Sequence, residues 1–226
     1  MYYTDQRPRI PIVTRNLIII NVIFYIATLI NENFMVGTFA LFFPKSQYFH
    51  WWQVLTHMFM HGGFWHILLN MYTLFIFGMA VEQTIGEWKF LIYYFVCGLG
   101  AAALHMAVQD IQATILMRKI AEGVSGAASS YASLKMIPTV GASGAIYGVL
   151  LGYAFLYPQN RMTLLFPPVT LSAKWMVLIF LGIELVTGVS GTMDGVAHFA
   201  HLGDALFGWI LMFMWKKQRR LFDQGW

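Results

Sequence analysis

Long apolar runs set the pattern of hydrophobic and polar positions along this chain. Six of them, each about 15 to 20 residues long, are separated by polar or aromatic-rich segments: Thr14–Ile30, Phe64–Val81, Phe90–Val108, Ala142–Tyr157, Trp175–Val189 and Val196–Trp215. A helix needs about 20 apolar residues to cross a hydrocarbon core of about 30 Å. Because backbone polar groups find no water in lipid, and no long stretch alternates with a period of two, the pattern predicts an all-α, polytopic membrane protein with a six-helix bundle.

The composition agrees with a chain that has lipid as its solvent. Of the 226 residues 58% are hydrophobic and 11% are charged, and the mean hydropathy is +0.62. Soluble domains hold about 25% charged residues, so this chain has too little charge to cover a water-facing surface. The single cysteine, Cys97, lies in an apolar run. It excludes a disulfide framework within the chain, and we interpret it as a packing residue.

The basic residues predict the orientation of the spans. Six spans put both termini on one side, and that side holds ten lysines and arginines: Arg7, Arg9, Arg15, Lys89, Arg161, Lys174, Lys216, Lys217, Arg219 and Arg220. The other side holds four: Lys45, Arg118, Lys119 and Lys135. The positive-inside rule therefore predicts that both termini are cytoplasmic. These residues lie at the ends of spans, so the net charge of +4 reflects topology and indicates no nucleic-acid partner.

The same pattern divides the chain into segments. We expect a cytoplasmic N-terminal segment (1–15), a membrane-embedded domain (16–215) and a basic cytoplasmic tail (216–226). No small-residue cleavage site follows the first apolar run, so we expect that span to be uncleaved. The connection Asn31–Met60 is aromatic-rich and suited to the membrane interface. The connection Gln109–Val140 is polar and rich in Ser, Gly and Ala, and we predict a flexible external loop.

Polar side chains inside the apolar runs are the functional candidates, because ionisable and amide groups are costly in a membrane. They cluster at the non-cytoplasmic ends of three spans: His57, His61, His66 and Asn70 near the second, Ser143 at the fourth, and His198 and His201 at the sixth. The six-span topology allows these three groups to share one water-accessible depth.

Ser143 follows two small residues at the start of an apolar helix, in the segment Gly141-Ala142-Ser143-Gly144. A serine there can be an N-cap that accepts a hydrogen bond from the first free N–H groups. It can also be a nucleophile whose own N–H, with its helix-start neighbours, stabilises an oxyanion. This segment alone leaves both interpretations open.

A stripe of small residues on the fourth span would admit a second helix at close range: Gly144, Gly148 and Gly152. The face of the sixth helix that carries Ala205 and Gly208 is small enough to dock there, which would bring His201 towards Ser143. The imidazole could then take the serine proton and later pass it to a leaving amine.

The polar residues near the second span (His57, His61, His66 and Asn70) have two possible functions. His66 and Asn70, four residues apart on one helix face, could donate hydrogen bonds to a developing oxyanion. A metal site is the rival use of so many histidines. That alternative is weaker, because no acidic residue accompanies the cluster and the sequence lacks H-E-x-x-H.

At these residues the sequence resembles the rhomboid family of intramembrane serine proteases. The resemblance covers roughly Trp52–Trp215, and its motifs follow the family's order: His57-Met58-Phe59-Met60-His61, His66-x-x-x-Asn70, Ala80-Val81-Glu82 with Gly86, Gly141-Ala142-Ser143-Gly144 and Ala200-His201-Leu202-Gly203. Spaced His/Asn, G-x-S-G and Ala-His motifs on separate spans are more specific together than any one of them.

The resemblance implies a catalytic dyad of Ser143 and His201 with no acidic third member, and no metal or cofactor. It also implies that Tyr147 packs against the His201 ring and that Gly141 and Gly144 support the nucleophile. His198, one turn before the matched base, would line the substrate cleft.

The resemblance further implies an oxyanion site made by the Ser143 N–H, His66 and Asn70. The substrates would be single-span membrane proteins cut in or near the span, and the partners would include the lipid bilayer. The fifth helix and the cap that follows it would form a mobile gate. We expect a multi-pass protein of a bacterial cytoplasmic membrane.

Three residues depart from the family's pattern. Gln53 stands where the family often has arginine, which puts the usual arginine contacts of the first loop in doubt. Asp204 stands where glycine is usual, and we expect it to loosen the packing near His201 unless it turns to a hydrated cavity. We interpret Glu184, within the fifth span, as a carboxyl group that faces polar cavity residues and has no catalytic role.

Two other functions stay open at this point. A catalytically inactive relative would bind membrane clients without cutting them, although it would need none of Ser143, His201, His66 and Asn70. A histidine-lined metal or proton carrier is the third alternative, and metal content and transport in liposomes would test it.

Overall fold

Helices account for most of the computed structural model, which describes residues 10–164, 168–189, 195–218 and 221, with only the backbone of 189 and 195–200. The order is α1 (Ile12–Ile30), α2 (Glu32–Phe39), α3 (Gln53–Thr56), a 3-10 turn (His57–Phe59), α4 (Phe64–Thr73), a π-helical segment (Leu74–Gly78), α5 (Met79–Ile85), α6 (Glu87–Ala121), α7 (Ala127–Met136), α8 (Ser143–Leu156), β1 (Arg161–Leu164), β2 (Val169–Ser172), α9 (Ala173–Val189) and α10 (Gly195–Lys217). The two strands pair as an antiparallel hairpin.

The six predicted spans are confirmed as helices. Ile12–Ile30, the continuous rod Phe64–Ile85 and Glu87–Ala121 are long and apolar enough to cross a membrane. α8, α9 and α10 supply the other three. Large apolar side chains cover the outside of the described bundle, among them Ile23, Trp65 and Leu69, which are 58%, 70% and 62% exposed. Such a surface suits lipid and not water.

α8 is the shortest of these six helices. Its 14 residues rise about 21 Å, less than the hydrocarbon thickness of about 30 Å. If α8 stands along the membrane normal, at least one of its ends therefore lies below the membrane surface. Ser143 is the first residue of this helix.

The glycine stripe of α8 (Gly144, Gly148 and Gly152) packs against both α6 and α10. An added Cβ at Gly144 would lie 2.9 Å from the Cβ of Ala101, and one at Gly148 would lie 2.4 Å from Sγ of Cys97. α10 turns its own glycines to the same helix, because an added Cβ at Gly203 would lie 3.0 Å from Cβ of Leu104. α10 also reaches the stripe, because an added Cβ at Gly152 would lie 3.1 Å from Cε of Met212. The expected docking of α10 is therefore present, and α6 is a second partner that contacts the glycines of both helices.

The connection Gln109–Val140 is largely helical, so the predicted flexible loop is wrong. α6 continues to Ala121, and α7 covers Ala127–Met136. Residues 109–121 contain neither glycine nor proline, and helix propensity is therefore not interrupted there. The turn between the two helices comes at Gly123 and Gly126, whose φ angles are 75° and 80°.

Gln53 holds the first loop together where the family often has arginine. Its side chain is fully buried. Oε1 accepts a hydrogen bond from the N–H of His50 at 3.0 Å, and Nε2 donates to the carbonyl of Tyr48 at 3.0 Å. An uncharged amide thus bonds the loop backbone in a position where a charge would be expensive to bury.

Glu82 fixes α1 to the rod formed by α4 and α5. Its buried carboxylate accepts hydrogen bonds from the N–H of Val13 at 2.9 Å, the N–H of Thr14 at 2.7 Å and the Thr14 hydroxyl at 2.7 Å. The first N–H groups of a helix have no partner within it, and its positive end favours an anion. Glu82 therefore caps α1 from a neighbouring helix.

Candidate active site

Ser143 lies where a loop enters α8. The residue before it, Ala142, is the N-cap, and no side chain caps this helix. The N-cap interpretation of Ser143 is therefore wrong. Gly141 has a φ of 143°, and an added Cβ there would lie 3.0 Å from Oγ of Ser143. Glycine is thus required for both the backbone conformation and the space beside the hydroxyl.

His201 of α10 lies beside this serine. Its Nε2 is 3.2 Å from Oγ of Ser143, within hydrogen-bond reach. The ring of Tyr147, one turn along α8 from Ser143, stacks on the imidazole with centroids 4.4 Å apart and planes 14° apart. The stack restricts rotation of the imidazole and keeps its edge towards the serine.

Glu184 of α9 completes the surroundings of the imidazole. Its Oε2 is 3.1 Å from Nδ1 of His201, and its Oε1 accepts a hydrogen bond from the Tyr147 hydroxyl at 2.5 Å. The Nδ1–Oε2 pair meets the distance of an ion pair but not the geometry of a hydrogen bond. Glu184 thus faces polar residues of the site, as expected, and one of them is the histidine beside Ser143.

The identity of this neighbour was missed from the sequence. The available signal was a carboxyl group in an apolar span, which is rare unless it has a partner. The sequence did not reveal which face α9 turns inward, because the helix is apolar on almost every side.

His66 of α4 adjoins the same glycine. An added Cβ at Gly141 would lie 3.2 Å from both Nε2 and Cε1 of His66, as well as close to the serine hydroxyl. Nδ1 of His66 accepts a weak hydrogen bond from the N–H of Gly62 at 3.3 Å. In the neutral imidazole this bond puts the ring proton on Nε2, which faces the site as a donor. Asn70 follows one turn later on α4 and is buried.

The remaining histidines of the first loop are held by the fold. Nδ1 of His57 is 3.0 Å from the carbonyl of Gln53, and burial lowers the pKa of His57 to about 4. Burial, with a smaller contribution from nearby His66, also lowers the pKa of His61 to about 4. Both imidazoles are therefore neutral at pH 7.

A small cavity of about 50 Å³ opens beside the serine, lined by His57, His105, Thr139, Gly141, Ser143 and His201 among others. Its volume can hold a water molecule, and its lining offers polar partners. Nε2 of His105 is 2.7 Å from the Thr139 hydroxyl. Within the part of the chain that the structure describes, no group of three or more His, Cys, Asp or Glu side chains is placed to hold a metal ion.

Two expected features lie outside the described residues. The side chain of His198 is one, although its backbone belongs to α10, one turn before His201. The cap after the fifth span, expected as part of a gate, falls on residues 190–194, which are not described.

Comparison with known proteins adds a family-level finding. A family model for the Rhomboid domain matches residues 48–218. The chain is 28% identical over 163 residues to RHOMBOID-like protein 6, mitochondrial, of Arabidopsis thaliana, covering 72% of this chain and 43% of that protein. It is 25% identical over 163 residues to Rhomboid protease AarA of Providencia stuartii, covering 70% and 53%. With Putative rhomboid protease YdcA of Bacillus subtilis it shares 25% over 173 residues, covering 75% and 71%. The chain thus spans about half the length of the first two relatives.

Proposed function

The chain belongs to the rhomboid family and is an integral membrane protein, and from this premise we propose that it is an intramembrane serine endopeptidase. Its substrates are single-span membrane proteins, cut within or beside the transmembrane segment. The observation that carries the proposal is the 3.2 Å approach of His201 Nε2 to Ser143 Oγ, made by two different helices. A serine hydroxyl becomes a useful nucleophile when a base within hydrogen-bond reach can take its proton.

The proposed first half-reaction forms an acyl-enzyme. Oγ of Ser143 bonds to the carbonyl carbon of the scissile peptide while Nε2 of His201 takes the Oγ proton. The carbonyl electron pair moves onto oxygen and gives a tetrahedral oxyanion. As that pair returns, the C–N bond breaks and His201 gives its proton to the leaving amine.

The second half-reaction restores the serine. His201 takes a proton from a water molecule whose oxygen attacks the ester carbonyl carbon. The tetrahedral intermediate collapses, the ester C–O bond breaks, and Oγ recovers a proton from His201. The cavity beside Ser143 supports this step, because it has room for such a water between polar side chains.

The proposed oxyanion site uses groups at the start of α8 and α4. The N–H of Ser143 lies in the first turn of α8, where backbone donors have no helical partner. His66 offers its Nε2 proton beside Gly141. Asn70, one turn further along α4, is the third proposed donor.

The membrane setting supports the substrate class. The described bundle presents an apolar outer surface, while Ser143 and His201 are half-buried. A transmembrane segment diffusing in the bilayer meets that surface first. We further propose that both termini are cytoplasmic and that the membrane is a bacterial cytoplasmic membrane, on the charge bias and the bacterial relatives.

Reconstitution into liposomes with a panel of single-span substrates tests the proposal. We expect at least one substrate to be cut at a single bond in or near its span by the wild type. The matched Ser143→Ala protein, identical in folding and reconstitution, should leave it intact. Cleavage that persists in Ser143→Ala would contradict the proposed nucleophile.

A further inference from the structure

We propose that Glu184 is the acidic third member of a Ser143–His201–Glu184 triad in this chain. Glu184 is a positioning residue, since it acts on the reaction through the imidazole and does not touch the substrate. The inference rests on the proposed function, because a triad has meaning only if Ser143 is a nucleophile. It departs from the acid-free dyad that the family resemblance implies.

The geometry assigns one task to each edge of the imidazole. Nε2 of His201 faces Oγ of Ser143 at 3.2 Å, and Nδ1 faces Oε2 of Glu184 at 3.1 Å. A neutral imidazole carries its proton on one nitrogen only. A carboxylate at Nδ1 favours the proton there, which leaves Nε2 with the lone pair that a general base needs.

The carboxylate also offsets charge during the reaction. When Nε2 takes the serine proton, the ring becomes an imidazolium cation with an anion 3.1 Å from its other nitrogen. Inside a bundle the effective dielectric constant is far below that of water, so the attraction is larger than at a surface. The carboxylate thus stabilises the imidazolium that forms in each half-reaction.

Tyr147 contacts both Glu184 and His201 and fixes their relative position. Its hydroxyl donates to Oε1 of Glu184 at 2.5 Å, while its ring stacks on the imidazole at 4.4 Å. One side chain thus fixes the second carboxylate oxygen and the plane of the ring. Oε2 of the same carboxylate lies 3.1 Å from Nδ1 of His201.

The three residues come from three helices, α8, α9 and α10. Glu184 is 7% exposed, and a carboxylate buried in a span is expensive unless charged or polar groups meet it. A buried acid with no chemical task, Asp204, lies one turn from His201 on α10, and no described residue hydrogen-bonds to either of its oxygens. The chain therefore supplies an acid at the ring and a second buried acid that serves as a control.

The test measures the labelling rate of Ser143 by a fluorophosphonate in the full-length protein, together with cleavage of a reconstituted single-span substrate. We expect Glu184→Gln to lower the labelling rate about 100-fold, less than the loss of about 10⁴ for a fully aligned triad acid. In cleavage, kcat should fall by a similar factor and KM should stay within about threefold, because Glu184 does not bind the substrate. Glu184→Asp, which keeps the charge at a greater distance, should fall between Glu184→Gln and wild type.

Two controls separate positioning from folding. Asp204→Asn removes the other buried carboxylate and should label within about twofold of wild type. In a His201→Ala background, Glu184→Gln should cause no further loss, because residues that act as a unit are not additive. Should Glu184→Gln fail to fold, the Glu184→Asp variants with and without His201→Ala carry the same test.

The outcomes distinguish the two proposals. A wild type that is not labelled at Ser143 overturns the proposed function, and the triad with it. A labelled wild type with Glu184→Gln labelling within threefold of it overturns the triad alone. Equal losses in Glu184→Gln and Asp204→Asn, or a further loss in the His201→Ala background, also overturn the triad.

Discussion

Two buried glutamates lie in different regions of this bundle, and their surroundings differ in kind. Glu82, in the middle of α5, receives three hydrogen bonds from the first turn of α1. Glu184, in the second half of α9, accepts a hydrogen bond from Tyr147 through Oε1 and turns Oε2 to His201. The first carboxylate is satisfied by groups that do not titrate. The second meets a ring that can gain and lose a proton.

The difference shows how a buried acid in a membrane protein can be interpreted. Burial alone does not separate the two residues, because Glu82 is 1% exposed and Glu184 is 7% exposed. The two glutamates differ in the groups that contact their carboxylates. Backbone N–H groups at a helix start indicate a structural cap, whereas a stacked imidazole beside a serine indicates chemistry.

His66, like Glu184, has a proposed role in the reaction. His66→Ala should lower the cleavage rate about 100-fold, because one oxyanion donor is typically worth about 10²–10³. The loss should appear in kcat, with the melting temperature nearly unchanged. Kinetics on a reconstituted substrate provide the measurement. A variant that keeps wild-type kcat would remove His66 from the oxyanion site.

Glu82, by contrast, has a structural role, since it caps the start of α1. Glu82→Gln should destabilise the protein by about 2–4 kcal/mol, since an amide replaces three charge-assisted hydrogen bonds and the cap of α1. Thermal unfolding in detergent measures the change. Below the melting transition, the fluorophosphonate labelling rate of Ser143 should stay within about twofold of wild type. If labelling falls and the melting temperature does not, the division between the two glutamates is wrong.

Asp204 is a third buried acid, and its carboxyl oxygens have no described hydrogen-bond partner. Asp204→Ala should raise stability by about 1–2 kcal/mol, because a buried polar group without a hydrogen bond costs about that much. Alanine is chosen because glycine would add a cost of about 1 kcal/mol inside a helix. A melting temperature at or below that of wild type would show that Asp204 has a stabilising partner.

The pH dependence of stability tests the first loop. Burial lowers the pKa of His57 and of His61 from the ordinary value of 6.5 to about 4. Between these values the unfolded chain therefore binds more protons than the folded protein. The contribution of the two neutral histidines to the free energy of unfolding is complete above pH 6.5, and it is lost as the pH falls towards 4. At pH 5.5 each of these histidines should lower the free energy of unfolding by about 1.4 kcal/mol. His57→Gln should reduce this pH dependence in thermal melts, and an unchanged dependence would contradict the assignment.

The sequence predicted the spans well because a bilayer imposes a length and a polarity on each helix. It also singled out Ser143, His201 and His66, since polar groups in spans are rare and their motifs lie on separate helices. The geometry brings these three side chains around Gly141, as the shared depth of their helix ends suggested.

What the sequence did not reveal depends on packing between helices. The α8 glycine stripe packs against α6 as well as α10, and no spacing within α8 could indicate that second partner. The pairing of Glu184 with His201 depends on the rotation of α9, whose apolar faces are nearly equivalent. The extension of α6 beyond Val108 is not evident from composition, because its polar residues are equally typical of a loop and only the lack of Gly and Pro favours a helix.

Site-specific labelling tests the central claim, an activated serine in a membrane bundle, most directly. The full-length protein in liposomes is treated with a fluorophosphonate, and the modified peptide is identified by mass spectrometry. We predict one labelled residue, Ser143, with labelling abolished in Ser143→Ala and reduced at least about 10³-fold in His201→Ala. A Ser143 that stays unmodified in folded wild-type protein, or that labels equally well without His201, would contradict the account.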